Sequence, residues 1–189
     1  MSEPLQLLEG VRILAFTQFL LGPAACQYLA DMGADVIKIE PPGRGAWERS
    51  WAGADAFLGG VSAFFLLANR NSRSLTLNLK TLKGLEVAKK LVETADVIVE
   101  NFRPGGMDRL GLGYEVAKKI NPKIIYAAGS GYGSDGPYAH LPGQDLLIQA
   151  ISGLGANTGT ESQGPTVSAA AVVDQHSATL HNLFAPTIL

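Results

Sequence analysis

The sequence has a single cysteine, Cys26, so no disulfide can form within the chain, and such sparing use fits a reducing compartment. It has no excess of positive charge: fifteen Lys and Arg stand against seventeen Asp and Glu, a formal net charge of −2. A phosphate backbone needs a cationic surface, so nucleic acid is not an expected partner. Long hydrophobic runs are missing too. The longest uncharged apolar stretch near the middle, Ala56 to Ala68, is too short and too rich in glycine to cross a membrane. The opening MSEPLQLLEG lacks the basic start and apolar stretch of a secretory leader, so a cytoplasmic location is expected. Basic side chains stop at Lys123. Beyond it the formal charges are Asp135, Asp145, Glu161 and Asp174, all acidic. What is present suits a folded domain: 189 residues, 47% hydrophobic and 17% charged.

Short β-branched runs alternate with helical patterns. Val11 to Phe16 reads as a strand, Pro23 to Met32 as a helix ended by Gly33, and Asp35 to Glu40 as a second strand. Leu75 to Leu79 alternates like a strand. Thr81 to Thr94 then puts Leu85, Ala88, Leu91, Val92 and Ala95 on one helical face. Asp96 to Glu100 is a strand, Tyr114 to Ile120 a short helix, and Lys123 to Ala128 another strand. This alternation predicts an α/β fold, a Rossmann-like and mainly parallel sheet with flanking helices. Ligands of such sheets bind at the carboxyl ends of the strands, which directs attention to the loops after Phe16, Glu40, Glu100 and Ala128.

Several familiar chemistries fail on these loops. The first turn, Thr17 to Gly22, has one glycine, too few for conventional dinucleotide binding despite the acid Glu40. Gly131 to Gly136 matches G-x-G-x-x-G, but Pro137 follows and no helix opens. It is read either as a flexible loop or as one that closes over a ligand. Ser130 lacks the flanking glycines of a nucleophile elbow. His176 and His181 are five apart, so no metal site is expected, and His140, close to Pro142, is expected at the surface. Asp174 ends a run of small apolar residues. It is read as a helix N-cap, as a nucleophile kept ionised by the helix dipole, or as both. Glu100 to Gly111 follows a strand and combines two arginines, a Pro-Gly-Gly turn and an aromatic. That set can meet phosphates and a base, and the ordinary alternative is a solvated turn in which Asp108 and Arg109 pair with neighbours.

At these residues the sequence resembles the family III CoA-transferases, the formyl-CoA and carnitine CoA-transferase group that includes the α-methylacyl-CoA racemases. The resemblance runs to about Leu183. It rests on Leu8 to Leu14, Gly22-Pro23, Gly33 to Glu40, Asn69 to Ser74, Leu77 to Lys80, the Glu100–Gly111 loop, Gly143 to Ala150 and the Asp174 segment. It implies that the chain is the N-terminal part of the family's large domain, with the second domain and C-terminal return segment absent. It also implies that Asp174 is the catalytic nucleophile, forming a mixed anhydride with an acyl group and then a thioester with CoA. The CoA contacts implied are Leu77, Lys80, Asn101, Phe102, Arg103, Arg109 and the loop Gly129, Ser130, Gly131, Tyr132, Gly133.

By the same resemblance, coenzyme A is a substrate rather than a resident cofactor, the second substrate is a carboxylic acid, and the full-length protein is an interlocked homodimer. Two positions differ from the formyl-CoA enzymes: Leu20 stands where they carry a glutamine, and Pro41 where they carry an arginine. Gln144 stands at the histidine of the racemases, and glutamine cannot shuttle a proton, which favours transfer over racemisation. The alternative expectation is a catalytically silent, truncated CoA-binding or structural fragment. The family is longer, and Ala185-Pro186-Thr187 interrupts a helix that continues in its members.

Overall fold

The computed structural model describes residues 6–184. The expected departure at Ala185-Pro186-Thr187 lies outside the described residues. In chain order the elements are β1 (Arg12–Phe16), α1 (Leu21–Asp31), β2 (Asp35–Glu40), a hairpin of β3 (Phe57–Leu58) and β4 (Val61–Ser62), and α2 (Ala63–Ala68). There follow β5 (Arg73–Thr76), α3 (Leu82–Val92), β6 (Val97–Glu100), α4 (Gly106–Arg109), α5 (Tyr114–Ile120) and β7 (Ile125–Ala128). The last helices are α6 (Asp145–Ile151), α7 (Leu154–Thr158) and α8 (Val172–Phe184).

Five strands pair in parallel in the order β5-β2-β1-β6-β7. Both faces are covered, so the strands read as near-continuous apolar runs. Alternate residues separate the two layers. Ile13, Ala15, Val36, Val97 and Val99 pack with Cys26, Leu29 and Ala30 of α1. Leu14, Phe16, Ile37, Ile39 and Ile98 pack with Ala88 and Val92 of α3 and Ala117 of α5. The direction of winding reverses between β1 and β6, which sets a crevice at the carboxyl ends of those strands. A third cluster joins Leu20, Ala24 and Ala25 to Ala178 of α8.

The expected Rossmann-like sheet is present, with shifted edges. The strand expected over Leu75–Leu79 is Arg73–Thr76: Leu77 still donates to Glu40 O, but Asn78 then turns the chain by accepting from Thr81 N and Lys80 N. Leu75, Leu77 and Leu79 nevertheless pack on one core, so the alternation reports burial beyond the ladder. The strand expected from Lys123 starts at Ile125, because Asn121 accepts from Lys123 N and Ile124 N in a turn. The helix expected from Pro23 begins at Leu21, and Pro23 is tolerated in the first turn, where its missing N–H has no partner to lose.

The carboxyl end of β2 carries two buried ion pairs. Lys38 Nζ donates to Glu48 Oε1 (3.0 Å) and Asn69 Oδ1 (2.8 Å). Glu40 accepts two bonds from Arg49 at 2.6 Å, one from Ala46 N (2.8 Å) and one from Ser74 Oγ (2.7 Å). Glu40 is therefore spent on holding residues 44–51 against the sheet. Burial alone raises its carboxyl, but the bonds from Arg49, Ala46 and Ser74 outweigh burial and bring it from 4.5 down to about 2. A depressed carboxyl adds stability above its unfolded value and loses it as pH falls towards the folded one. Glu40→Gln is expected to cost about 3 kcal/mol at pH 7, with the difference from wild type closing between pH 4.5 and 2. Urea denaturation at both ends of that range measures it, and a pH-independent difference would refute it.

Candidate functional site

The loops at the carboxyl edge are tied to one another. Gln18 N donates to Asn101 Oδ1 (2.9 Å) and Asn101 Nδ2 donates back to Gln18 O (2.7 Å), joining the loops after β1 and β6. The first turn is filled by side chains. Phe19 sits at φ 65° and stacks on Trp47 with ring centroids 5.0 Å apart, while Leu20 is buried in the α1–α8 cluster. A phosphate cradle there is excluded by that filling, and Glu40 is occupied elsewhere.

Asp174 lies in the first turn of α8, which starts at Val172, so it is not the N-cap the sequence suggested. Its position is set by Asp145, the first residue of α6. Asp145 Oδ2 accepts from Asp174 N (2.8 Å), and Oδ1 accepts from Gln149 Nε2. Gln149 is fully buried; its Oε1 accepts from Ser168 N (2.8 Å), and its Nε2 also reaches the carbonyls of Ser168 and Ala170. One buried acid and one buried amide thus pin residues 168–174 to α6. Sequence reasoning missed both as positioning groups. The available signal was an acid and an amide four apart on an otherwise apolar helix, Asp145-Leu-Leu-Ile-Gln149.

The Asp174 carboxylate is half-buried and, among the described residues, accepts no hydrogen bond and has no ion-pair partner. Burial raises its carboxyl, and the nearby charge of Asp145 raises it further, to about 6. Even so, a carboxyl near 6 is mostly ionised at pH 7, as the reading of an ionised nucleophile requires.

Asp174 shares a stripe of α8 with Ala178 and His181, two turns on. His181 is half-buried, and burial lowers its imidazole. It lies beside Gly129, where a Cβ would stand 3.7 Å from its ring and 2.9 Å from Leu21 Cδ2. Gly131 touches Gly143 backbone to backbone; a Cβ on Gly131 would meet Gly143 Cα at 2.6 Å and Ile148 Cδ1 at 3.2 Å. The glycine loop, α6 and α8 therefore converge. No helix follows that loop until α6, as its Pro137 suggested. Ser130, Gly131 and Gly133 are exposed, Tyr132 is half-buried near Tyr138, and His140 is exposed as expected.

The remaining expected CoA contacts lie on the other side of the sheet. Leu77, half-buried, and Lys80, exposed, follow edge strand β5, four strand spacings or about 19 Å from β7. Phe102 is anchored on the same core as Leu77 and Leu79, against Gly106. Arg103 and Arg109 are exposed and, like Lys80, form no ion pair among the described residues. That removes the alternative in which Arg109 pairs with a neighbour. Gln144, exposed, is the N-cap residue of α6, and its side chain makes no capping bond. Among the described residues no three His, Cys, Asp or Glu are grouped to hold a metal ion, and no helix is long and apolar enough to cross a membrane.

A sequence profile described as CoA-transferase family III matches residues 8–186. The chain belongs to that family. It is 45% identical over 167 residues to the succinyl-CoA:glutarate CoA-transferase of Mus musculus, covering 88% of this chain and 38% of that protein. It is 42% identical over 165 residues to the acetyl-CoA:oxalate CoA-transferase of Acetobacter aceti, covering 87% and 42%. Among solved structures, a CAIB/BAIF family protein from Brucella suis superimposes with a TM-score of 0.89 at 37% identity, covering 95% of this chain and 48% of that one. Rv3272 from M. tuberculosis gives 0.89 at 37%, covering 98% and 51%. The chain thus spans about two-fifths of these curated relatives and about half of these solved chains.

Asp145 is expected to be irreplaceable by its amide. A carboxylate offers an acceptor oxygen to each of two donors, Gln149 Nε2 and Asp174 N; an asparagine must turn its NH₂ towards one of them. Asp145→Asn should cost about 1–3 kcal/mol, and removal of the like charge should lower the Asp174 carboxyl below about 6. Carboxyl-carbon NMR titration of Asp174 reads the second effect directly; an unmoved midpoint would refute the coupling.

Proposed function

We propose that this chain carries the nucleophile and the CoA-contacting surface of a CoA-transferase, which moves CoA from an acyl-CoA to a carboxylic acid. The observation that carries the reading is Asp174: an uncommitted, partly desolvated carboxylate on the α8 stripe whose His181 reaches Gly129 of the glycine loop, in a chain of family III. Its oxygen attacks the thioester carbonyl, the C–S bond breaks and CoA leaves as thiolate, giving a mixed anhydride. The thiolate then attacks the Asp174 carbonyl carbon, releasing the donor's carboxylate and leaving an enzyme thioester. An acceptor carboxylate attacks that thioester, CoA leaves again, and its attack on the acceptor's carbonyl frees Asp174. A carboxylate with a raised pKa is more basic, and so a better nucleophile than an ordinary one, while staying mostly ionised at pH 7. Backbone N–H groups of the loop from Ser130 to Gly133 suit the developing oxyanion.

On this reading Leu77, Lys80, Asn101, Phe102, Arg103 and Arg109 receive the nucleotide end of CoA. Cations that no carboxylate neutralises suit its phosphates. The distance from these groups to the glycine loop suits an extended ligand laid along the carboxyl edge. The proposed partners are acyl-CoA and a carboxylic acid. An interlocked homodimer of the full-length protein is supported by the apolar side chains left exposed on α6 and α7, among them Leu146, Leu147, Ile151 and Leu154. A single, buried cysteine fits a cytoplasmic setting. The second reading, a CoA-binding part without turnover of its own, is favoured by the span of about two-fifths of the curated relatives.

Mass spectrometry after incubation with acyl-CoA and hydroxylamine is expected to find a hydroxamate at Asp174, absent in Asp174→Asn. An unmodified Asp174 in a preparation that transfers CoA would overturn the mechanism, and CoA binding without turnover would select the second reading. The rate is expected to fall as pH drops through about 6, because protonation removes the nucleophile.

A further inference from the structure

Glu100 ends β6 at the sheet's carboxyl edge, between the loop of Phe102 and Arg103 and the glycine loop. Strand alternation puts it on the face of Ile98, where the core below α4 and α5 is apolar. It is a buried acid with no cation beside it among the described residues, and nothing in the transfer chemistry uses it. Its side chain has one hydrogen bond: Oε2 accepts from Phe102 N at 2.8 Å, two residues ahead. Its main-chain oxygen accepts from Gly129 N at 2.9 Å. One residue therefore anchors an amide of each loop, by the side chain on one and by the backbone on the other. Around the carboxyl lie Asp108 of α4 and Tyr126 of β7, and among the described residues no compensating positive charge. Burial and Asp108 raise the Glu100 carboxyl, against the lowering bond from Phe102. An unpaired acid in that setting costs stability, so a role for its acceptor oxygen follows.

We propose that Glu100 is a positioning residue for CoA: its carboxyl oxygen, by accepting the Phe102 N–H, sets the turn that presents Asn101, Phe102 and Arg103 to the ligand. The proposal rests on the CoA-transferase reading above. The turn has other constraints, but none of them acts on Phe102 N. Asn101 is clasped by Gln18, Gly106 N donates to Arg103 O at 2.8 Å, and Gly105 supplies the left-handed residue (φ 74°) before α4. Phe102 N lies between those two fixed points, and the Glu100 bond orients the peptide from which the Phe102 ring and the Arg103 side chain diverge. The requirement is for an acceptor oxygen and not for charge, so glutamine should serve where an apolar residue of equal length does not.

The test uses the whole chain with Glu100→Met and Glu100→Gln, titrated with CoA by calorimetry and followed by hydrogen exchange at single amides. Glu100→Met should weaken CoA at least tenfold and speed exchange of the Phe102 amide. The Gly129 amide, held by the main chain, should keep its protection. Glu100→Gln should restore CoA affinity to within about threefold of wild type, corresponding to under about 0.7 kcal/mol. If wild type binds CoA and Glu100→Met binds it equally, the positioning role falls and the CoA reading stands. If Glu100→Gln is as weak as Glu100→Met, an acceptor role is likewise overturned. Rapid exchange of the Phe102 amide in wild type overturns it too, whatever the variants' folding. Absence of CoA binding by wild type overturns the underlying reading, and this inference with it.

Discussion

The site depends on one buried carboxylate, that of Asp145. Each of its oxygens faces a separate donor, the Gln149 side chain and the Asp174 main chain, and that division of labour fixes where α8 begins relative to α6. Burying an acid without a cation is costly, and here two hydrogen bonds offset part of the cost. Its charge also adds to the rise of the Asp174 carboxyl, which burial raises most, to about 6. Position and part of the reactivity of the candidate nucleophile thus share a cause. The same contact that places the Asp174 backbone brings a like charge close enough to make its side chain more basic.

The sheet distributes the rest. Because the strands are parallel, every functional loop leaves from one edge, and because residues alternate, that edge has two faces. Leu77, Phe102 and the core of α3 and α5 lie on one side; α1 and α8 meet on the other. The charge asymmetry follows this division. Arg49 and Lys38 are consumed by Glu40 and Glu48, whereas Lys80, Arg103 and Arg109 stay unpaired among the described residues. The weakly charged segment after Lys123 forms α6, α7 and α8. Their exposed leucines and isoleucine leave a surface whose chemistry is apolar rather than ionic.

The layers of the fold were legible in the sequence because periodicity is a direct record of burial. Arg12–Phe16, Asp35–Glu40 and Val97–Glu100 are short apolar runs with β-branched residues, and the α3 stripe repeats at helical spacing. Leu75, Leu77 and Leu79 were legible as a buried row but not as the end of a ladder, since Asn78 decides that through local turn bonds. The hairpin Phe57–Ser62 and helix α2 were invisible: glycines and aromatics of that stretch carry no clear period. At the site, Asp174 could be singled out, while Asp145 and Gln149 could not be given their role. Their partners are main-chain atoms up to 29 residues away, and hydrogen bonding to a backbone leaves no pattern in side-chain identity.

Four carboxylates near the carboxyl edge make the strongest case for which one reacts, because their surroundings pull them apart. Glu40 is held near 2 by Arg49 and its companions, and both its oxygens are taken, so it is ionised but unavailable. Asp145 is buried with one donor on each oxygen. Glu100 is raised by burial and bound to its own loop. Asp174 alone among these four has both oxygens free of donors among the described residues while remaining mostly ionised at neutral pH. A nucleophile needs both of those properties together. Exchanging any one environment for another removes at least one of them, which is why the same side-chain chemistry supplies a strut at Glu40, a pin at Asp145, a bond to its own loop at Glu100 and the proposed nucleophile at Asp174.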